Sequence, residues 1–68
     1  MTLKELRAGA GKTARESAAV LGIAVSSYYN YEQGIRTLNI SQVLLLAKFY
    51  DCSEKEVIEA ALNSQSDR

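Results

Sequence analysis

Histidine, proline and tryptophan are absent from this 68-residue chain, and cysteine, methionine and phenylalanine occur once each. Without histidine, and with Cys52 alone, neither a Ser–His or Cys–His nucleophile pair nor a zinc cluster can be assembled. A single cysteine forms no internal disulfide, so Cys52 reads as a small core residue. Long apolar runs are missing too. The longest, Val43–Leu44–Leu45–Leu46–Ala47, is far short of the roughly 20 residues a membrane span needs. The opening Met1-Thr2-Leu3-Lys4-Glu5 carries both charges and lacks the apolar region of an export signal. A cytoplasmic protein without membrane contact is expected. No excess of one charge exists either, since eight basic residues balance eight acidic ones.

What is present describes one small globular domain. A chain of this size buries only about 60% of its unfolded surface, so its core has little redundancy. Charged residues at 24% and apolar residues at 47% are ordinary for a soluble fold. The charge is unevenly spread. Residues 1–36 set Lys4, Arg7, Lys12, Arg15 and Arg36 against Glu5, Glu16 and Glu32, a net of +2. Residues 37–68 set Lys48, Lys55 and Arg68 against Asp51, Glu54, Glu56, Glu59 and Asp67, a net of −2.

No useful stretch alternates with period two, and the apolar residues recur at helical spacing. Four helix starts carry the capping-box pattern: Thr2 with Glu5, Thr13 with Glu16, Asn39 with Gln42, and Ser53 with Glu56. Gly9 and Gly11 end the first helix, Gly22 the second and Gly34 the third. The third helix has no such start. Either Ser26 caps it late, or its first N–H groups are left for water or a phosphate. An all-α, compact five-helix domain over 1–62 is therefore expected, with 63–68 as a frayed polar tail. The expected core is Leu3, Leu6, Ala18, Leu21, Tyr28, Tyr31, Ile40, Val43, Leu44, Ala47, Tyr50, Val57, Ile58 and Ala61.

Residues 13–34, TARESAAVLGIAVSSYYNYEQG, read as two short helices joined by a tight Gly-containing turn. That arrangement presents its second helix to the DNA major groove. With Tyr28 and Tyr31 turned inward, Val25, Ser26, Tyr29, Asn30 and Gln33 fall on the outer face of helix 3. Ser26 and Asn30 are the candidate base readers, Asn30 through its amide to adenine. Val25 and Tyr29 are suited to a thymine methyl, and Tyr29 also to a phosphate. Lys12, Arg15, Ser27, Gln33 and Arg36 are candidate phosphate contacts, which set register without reading sequence. The mild basic bias of this half predicts weak non-specific binding and a modest salt slope.

Over residues 3–58 the chain resembles the Cro/CI-type (Xre-like) helix-turn-helix regulators of phages and bacteria. The resemblance rests on Leu3-Lys4-Glu5-Leu6-Arg7, on Thr13, Glu16 and Ala18, and on Leu21-Gly22-Ile23 at the turn. It continues through Tyr31-Glu32-Gln33-Gly34, Leu44 with Leu46-Ala47-Lys48, and Ser53. It implies a lambda-repressor-like fold and a repressor acting on double-stranded operator DNA without a cofactor. It also implies an ion pair between Arg7 and Glu32, holding helix 3 on helix 1. Three positions depart from the family pattern. Ala14 stands where a phosphate-contacting glutamine is usual, and Ser17 stands for an aliphatic residue whose space Tyr28 is expected to fill. Leu38 stands for a proline before helix 4.

One module of this size touches few base pairs, so a homodimer on a pseudo-palindromic operator is expected. Leu45 and Phe49, at i and i+4, are either an extension of the core or a dimer or partner surface. A rival reading is an antirepressor that binds another repressor protein, in keeping with zero net charge, Ala14 and a tyrosine-rich helix 3. Nucleotide binding is set aside. Gly9-Ala10-Gly11-Lys12-Thr13 ends as a P-loop does, but Leu6 occupies the position of its first glycine. The relaxed dinucleotide fingerprint Gly9-x-Gly11-x-x-Ala14 follows a helix, where that motif needs a strand. No catalytic activity is expected.

Overall fold

The computed structural model describes residues 1–66, which form α1 (Leu3–Gly9), α2 (Ala14–Leu21), α3 (Val25–Glu32), α4 (Ile40–Phe49) and α5 (Glu54–Ser66). Among the described residues there is no strand. Three helices open on reciprocal capping boxes. Thr13 Oγ1 accepts from the Glu16 N–H at 3.1 Å, while the Thr13 N–H donates to Glu16 Oε1 at 2.8 Å. Thr2 with Glu5 and Asn39 with Gln42 do the same. At the head of α5, Ser53 Oγ accepts from the Glu56 N–H at 3.2 Å. Each cap satisfies donors that the first helical turn leaves unpaired, worth about 1 kcal/mol. The start of α3 differs as its sequence implies: Ala24 is the N-cap and no side chain caps it. Ser26 lies inside the first turn, so the late-cap alternative falls away.

The helix ends are sharper than glycine placement alone foretells. Gly9 is the last residue of α1, with Ala10 as its C-cap, and the positive φ comes at Gly11. α4 ends without glycine, because Asp51 takes φ 55° and lets Cys52 N–H donate to Ala47 O at 2.9 Å. Aspartate tolerates that left-handed turn better than most side chains.

Two apolar clusters meet at Leu21 and Ile23. The larger holds Leu3, Tyr31, Leu38, Val43, Leu46, Ala47, Tyr50, Val57 and Ala60; the smaller holds Ala14, Ala18 and Tyr28. Three expected core residues are not in them. Ile40 is 80% exposed, and Leu44 and Ile58 are each about half exposed. Leu46, Leu38 and Ala60 are buried instead. In the unbroken run Val43–Ala47 any frame places an apolar residue inward. The stripe that packs is Val43, Leu46, Ala47 and Tyr50, so Leu44 lies one step round its edge. Ile40 lies on that stripe but in the first turn of α4, where it stays exposed at the rim of a groove shared with Ile58 of α5.

The stretch read as a frayed tail is helical from 63 to 66, while 67 and 68 lie outside the described residues. Ser64 is buried; its Oγ accepts from the Leu3 N–H at 3.0 Å and donates to Ala60 O at 2.9 Å. Asn63 donates to the Met1 carbonyl and Gln65 to Thr37 Oγ1. The polar side chains of 63–65 thus dock α5 onto Met1, Leu3 and Thr37. α2 packs on α3 and α4, and α5 packs on α1, α3 and α4, which leaves one face of α3 open.

Candidate nucleic-acid interface

The turn between α2 and α3 is three residues long and starts at Gly22, whose φ of 70° only glycine adopts without cost. Ile23 follows it inward, its N–H donating to Ala18 O at 3.0 Å while its side chain packs on both clusters. This anchors the start of α3 on α2. Tyr28 and Tyr31 face inward from α3, Tyr28 with no exposure at all.

The far end of α3 is tied to α1. Arg7 Nε donates to Glu32 Oε2 at 2.6 Å and its Nη2 to Oε1 at 3.4 Å. Its Nη1 donates to the Lys12 carbonyl at 3.1 Å. Glu32 is 5% exposed and Arg7 15%, so the fork is largely desolvated and geometrically specific. The hydrogen bond to Glu32 pushes the Arg7 guanidinium further above its ordinary pKa.

The outer face of α3 carries Val25, Ser26, Tyr29 and Gln33 as exposed side chains, with Ser27 and Asn30 half-buried at its edges. Tyr29 is 44% exposed and lines a shallow groove with Lys4, Arg7, Glu32 and Gln33. Arg15 on α2 and Arg36, past the end of α3, are exposed. Lys12 is half-buried and its Nζ sits 4.8 Å from the Phe49 ring centroid, a cation–π contact. Phe49 itself packs against the main cluster and beside the Tyr50 ring, whereas Leu45 is exposed. The two do not form one open patch.

Position 14 is not a surface site in this chain, because Ala14 is buried against Ala18 and Tyr28. Ser17 is buried as well. Its hydroxyl donates to Thr13 O at 3.1 Å and lies 2.6 Å from Tyr50 Oη, which in turn lies 2.9 Å from Tyr28 Oη. Tyr28 therefore does not fill the space at Ser17 by itself, since the Tyr50 hydroxyl stands between them. Burial pushes both phenols above their ordinary pKa. The sequence shows no sign of this chain of hydroxyls, whose members are 22 and 33 residues apart.

The helix-turn-helix family pattern matches residues 3–57, most of the chain. The chain belongs to the helix-turn-helix family. Its type is that of Cro and CI (Xre-like), and its all-α architecture is the one this family has. No curated protein and no solved structure matches it significantly. As a helix-turn-helix protein it is a DNA-binding transcription regulator, of a family not typically catalytic. No helix among its described residues is long and apolar enough to cross a membrane. Those residues also contain no acidic or cysteine cluster able to hold a metal ion.

Proposed function

We propose that this protein is a sequence-specific, Cro-like repressor of phage or prophage type that lays α3 in the major groove of its operator and needs no cofactor. The observation that carries the reading is the open outer face of α3, held at one end by Ile23 and at the other by the Arg7–Glu32 fork. A rigidly supported helix face is what base readout demands. Val25, Ser26, Tyr29 and Asn30 are the base readers in this scheme, and Arg15, Ser27, Gln33 and Arg36 touch phosphates. Lys12 contributes charge from its seat on Phe49.

The operator is a pseudo-palindrome bound by a homodimer. The surface best suited to a second copy lies on α4 and α5 rather than at Leu45 and Phe49. Ile40, Leu44 and Ile58 are exposed around a groove floored by Leu38 and Val43, with Glu54 at its edge. Lys48 is one turn beyond Leu44, and Lys55 is next to Glu54 in sequence; both are exposed. An apolar centre with acid and base at its rim can face its own copy without like-charge repulsion.

The reading is tested by titrating operator variants. Asn30→Ala is expected to cost about 1–3 kcal/mol at one base step, whereas Arg36→Ala weakens binding evenly across sequences. An Asn30→Ala protein with wild-type affinity at every base step removes that residue from the reading surface. A salt-tolerant protein contact on the Val25–Tyr29 face, with no DNA bound, would support the antirepressor instead.

A further inference from the structure

The buried chain of hydroxyls lies behind the reading surface and touches both helices of the motif. Ser17 belongs to α2, Tyr28 to α3, and Tyr50 caps the end of α4. Ser17 spends its one hydrogen on Thr13 O, so Tyr50 donates to Ser17 and Tyr28 donates to Tyr50. No buried polar side-chain atom among the described residues lacks a partner. A fully satisfied buried network of this kind is directional, and directional contacts select one arrangement where apolar ones tolerate several.

The apolar part of the contact between α2 and α3 sets Ala14 and Ala18, two small side chains, against the Tyr28 ring, with Leu21 and Ile23 packed at the end nearer the turn. Beside that packing, the two hydrogen bonds through Tyr50 Oη are the directional contacts that tie α3 to α2. Glu32 is one turn from Tyr28 on α3, and its fork to Arg7 makes the second fixed point. Between these two points the opposite side of the helix, with Val25, Ser26 and Tyr29, has one orientation. Base readout tolerates only about 0.5 Å or 10–20° of misplacement.

We propose that Tyr50 is a positioning residue for DNA recognition: its hydroxyl, bridging Ser17 and Tyr28, sets the roll of α3 and with it the discrimination between operator and other DNA. The inference rests on the reading of α3 as the recognition helix. Tyr50 is buried and touches no DNA itself.

Tyr50→Phe removes the bridge and leaves Glu32 as the remaining acceptor beside the Tyr28 hydroxyl, so it lowers stability and discrimination together. The separating variant is Ser17→Ala/Tyr28→Phe/Tyr50→Phe, which removes all three hydroxyls and keeps the apolar shapes. Losing both ends of a buried hydrogen bond costs little, so this variant melts above Tyr50→Phe and near the unaltered chain. Two quantities are then measured. Residual dipolar couplings give the orientation of α3 relative to α2. Titrations compare affinity for the sequence recovered from random duplex DNA with affinity for a shuffled duplex of the same length. The expected result is a reoriented α3 and a specificity ratio lowered about tenfold or more, with affinity for the shuffled duplex changed less than about twofold. A folded triple variant with α3 unmoved overturns the proposal whatever the DNA shows, and so does an unchanged ratio. If the triple variant is too unstable, the couplings are measured on Tyr50→Phe, where a reoriented α3 supports the proposal and an unmoved one overturns it. If the unaltered chain recovers no sequence at all, the recognition-helix reading fails, and the orientation of α3 alone decides the role of Tyr50.

Discussion

Arg7 and Glu32 show how far a single pair of side chains can determine the fate of a small domain. Surface ion pairs contribute little, but this one is almost out of solvent, and removing one partner leaves the other charge stranded. Glu32→Ala is expected to cost about 3 kcal/mol, which lowers Tm by more than about 10 °C for a domain of this size. A thermal melt unchanged by the substitution contradicts that role. A second expectation concerns pH. Burial raises the Tyr28 and Tyr50 phenols above the ordinary 10.0, so the folded chain keeps protons that the unfolded chain releases. Their contribution is whole below pH 10 and is lost as pH rises further. Denaturant melts at pH 8 and pH 11 should show that loss, and the Ser17→Ala/Tyr28→Phe/Tyr50→Phe variant should lose less; equal slopes would refute it. The ion pair was legible only through the family resemblance, because neither charge is distinctive on its own. The hydroxyl chain was not legible, since a serine in a helix and two distant tyrosines carry no local mark of one another.

At the scale of the elements, the sequence is most readable where the chemistry is local. Four caps at Thr2, Thr13, Asn39 and Ser53 place helix starts correctly, because donor and acceptor lie within three residues of each other. Faces are less readable. Val43–Ala47 is apolar at every position, so only the neighbouring helices decide that Leu46 goes in and Leu44 out. Gly34 combines both kinds of information. Its φ of 77° marks a helix end, but a Cβ there would also lie 2.7 Å from Ser64 O and 2.8 Å from Gln65 Cα. Gly22 has nearly the same φ and open space around it. Gly22→Ala should therefore cost about 1–2 kcal/mol from backbone strain alone, and Gly34→Ala clearly more, because α5 must shift. Chemical denaturation of the two variants measures the difference, and equal costs would show that α5 does not pack against this turn. The same contact explains why 63–66 is not a tail. The polar side chains of 63–65 look solvated in sequence and are instead partnered with Met1, Leu3 and Thr37.

For the whole molecule, zero net charge hides a basic half that carries the helix-turn-helix and an acidic half that carries α5. On the proposed reading the basic half meets the phosphates. If the proposed homodimer forms through the apolar groove of α4 and α5, Leu44→Glu is expected to abolish self-association in sedimentation while the monomer keeps its helical signal; undiminished self-association would contradict that contact. The helix-turn-helix was legible as a framework in Thr13, Glu16, Gly22 and Glu32, whereas the proposed reading residues Val25, Ser26, Tyr29 and Asn30 follow no pattern that marks them. Operator recognition by α3 is tested most directly by selecting bound sequences from random duplex DNA and then titrating salt on the recovered sequence. The expected result is a motif of two related half-sites about one helical turn apart, bound more weakly as salt rises. Recovery of no motif at low salt would contradict it.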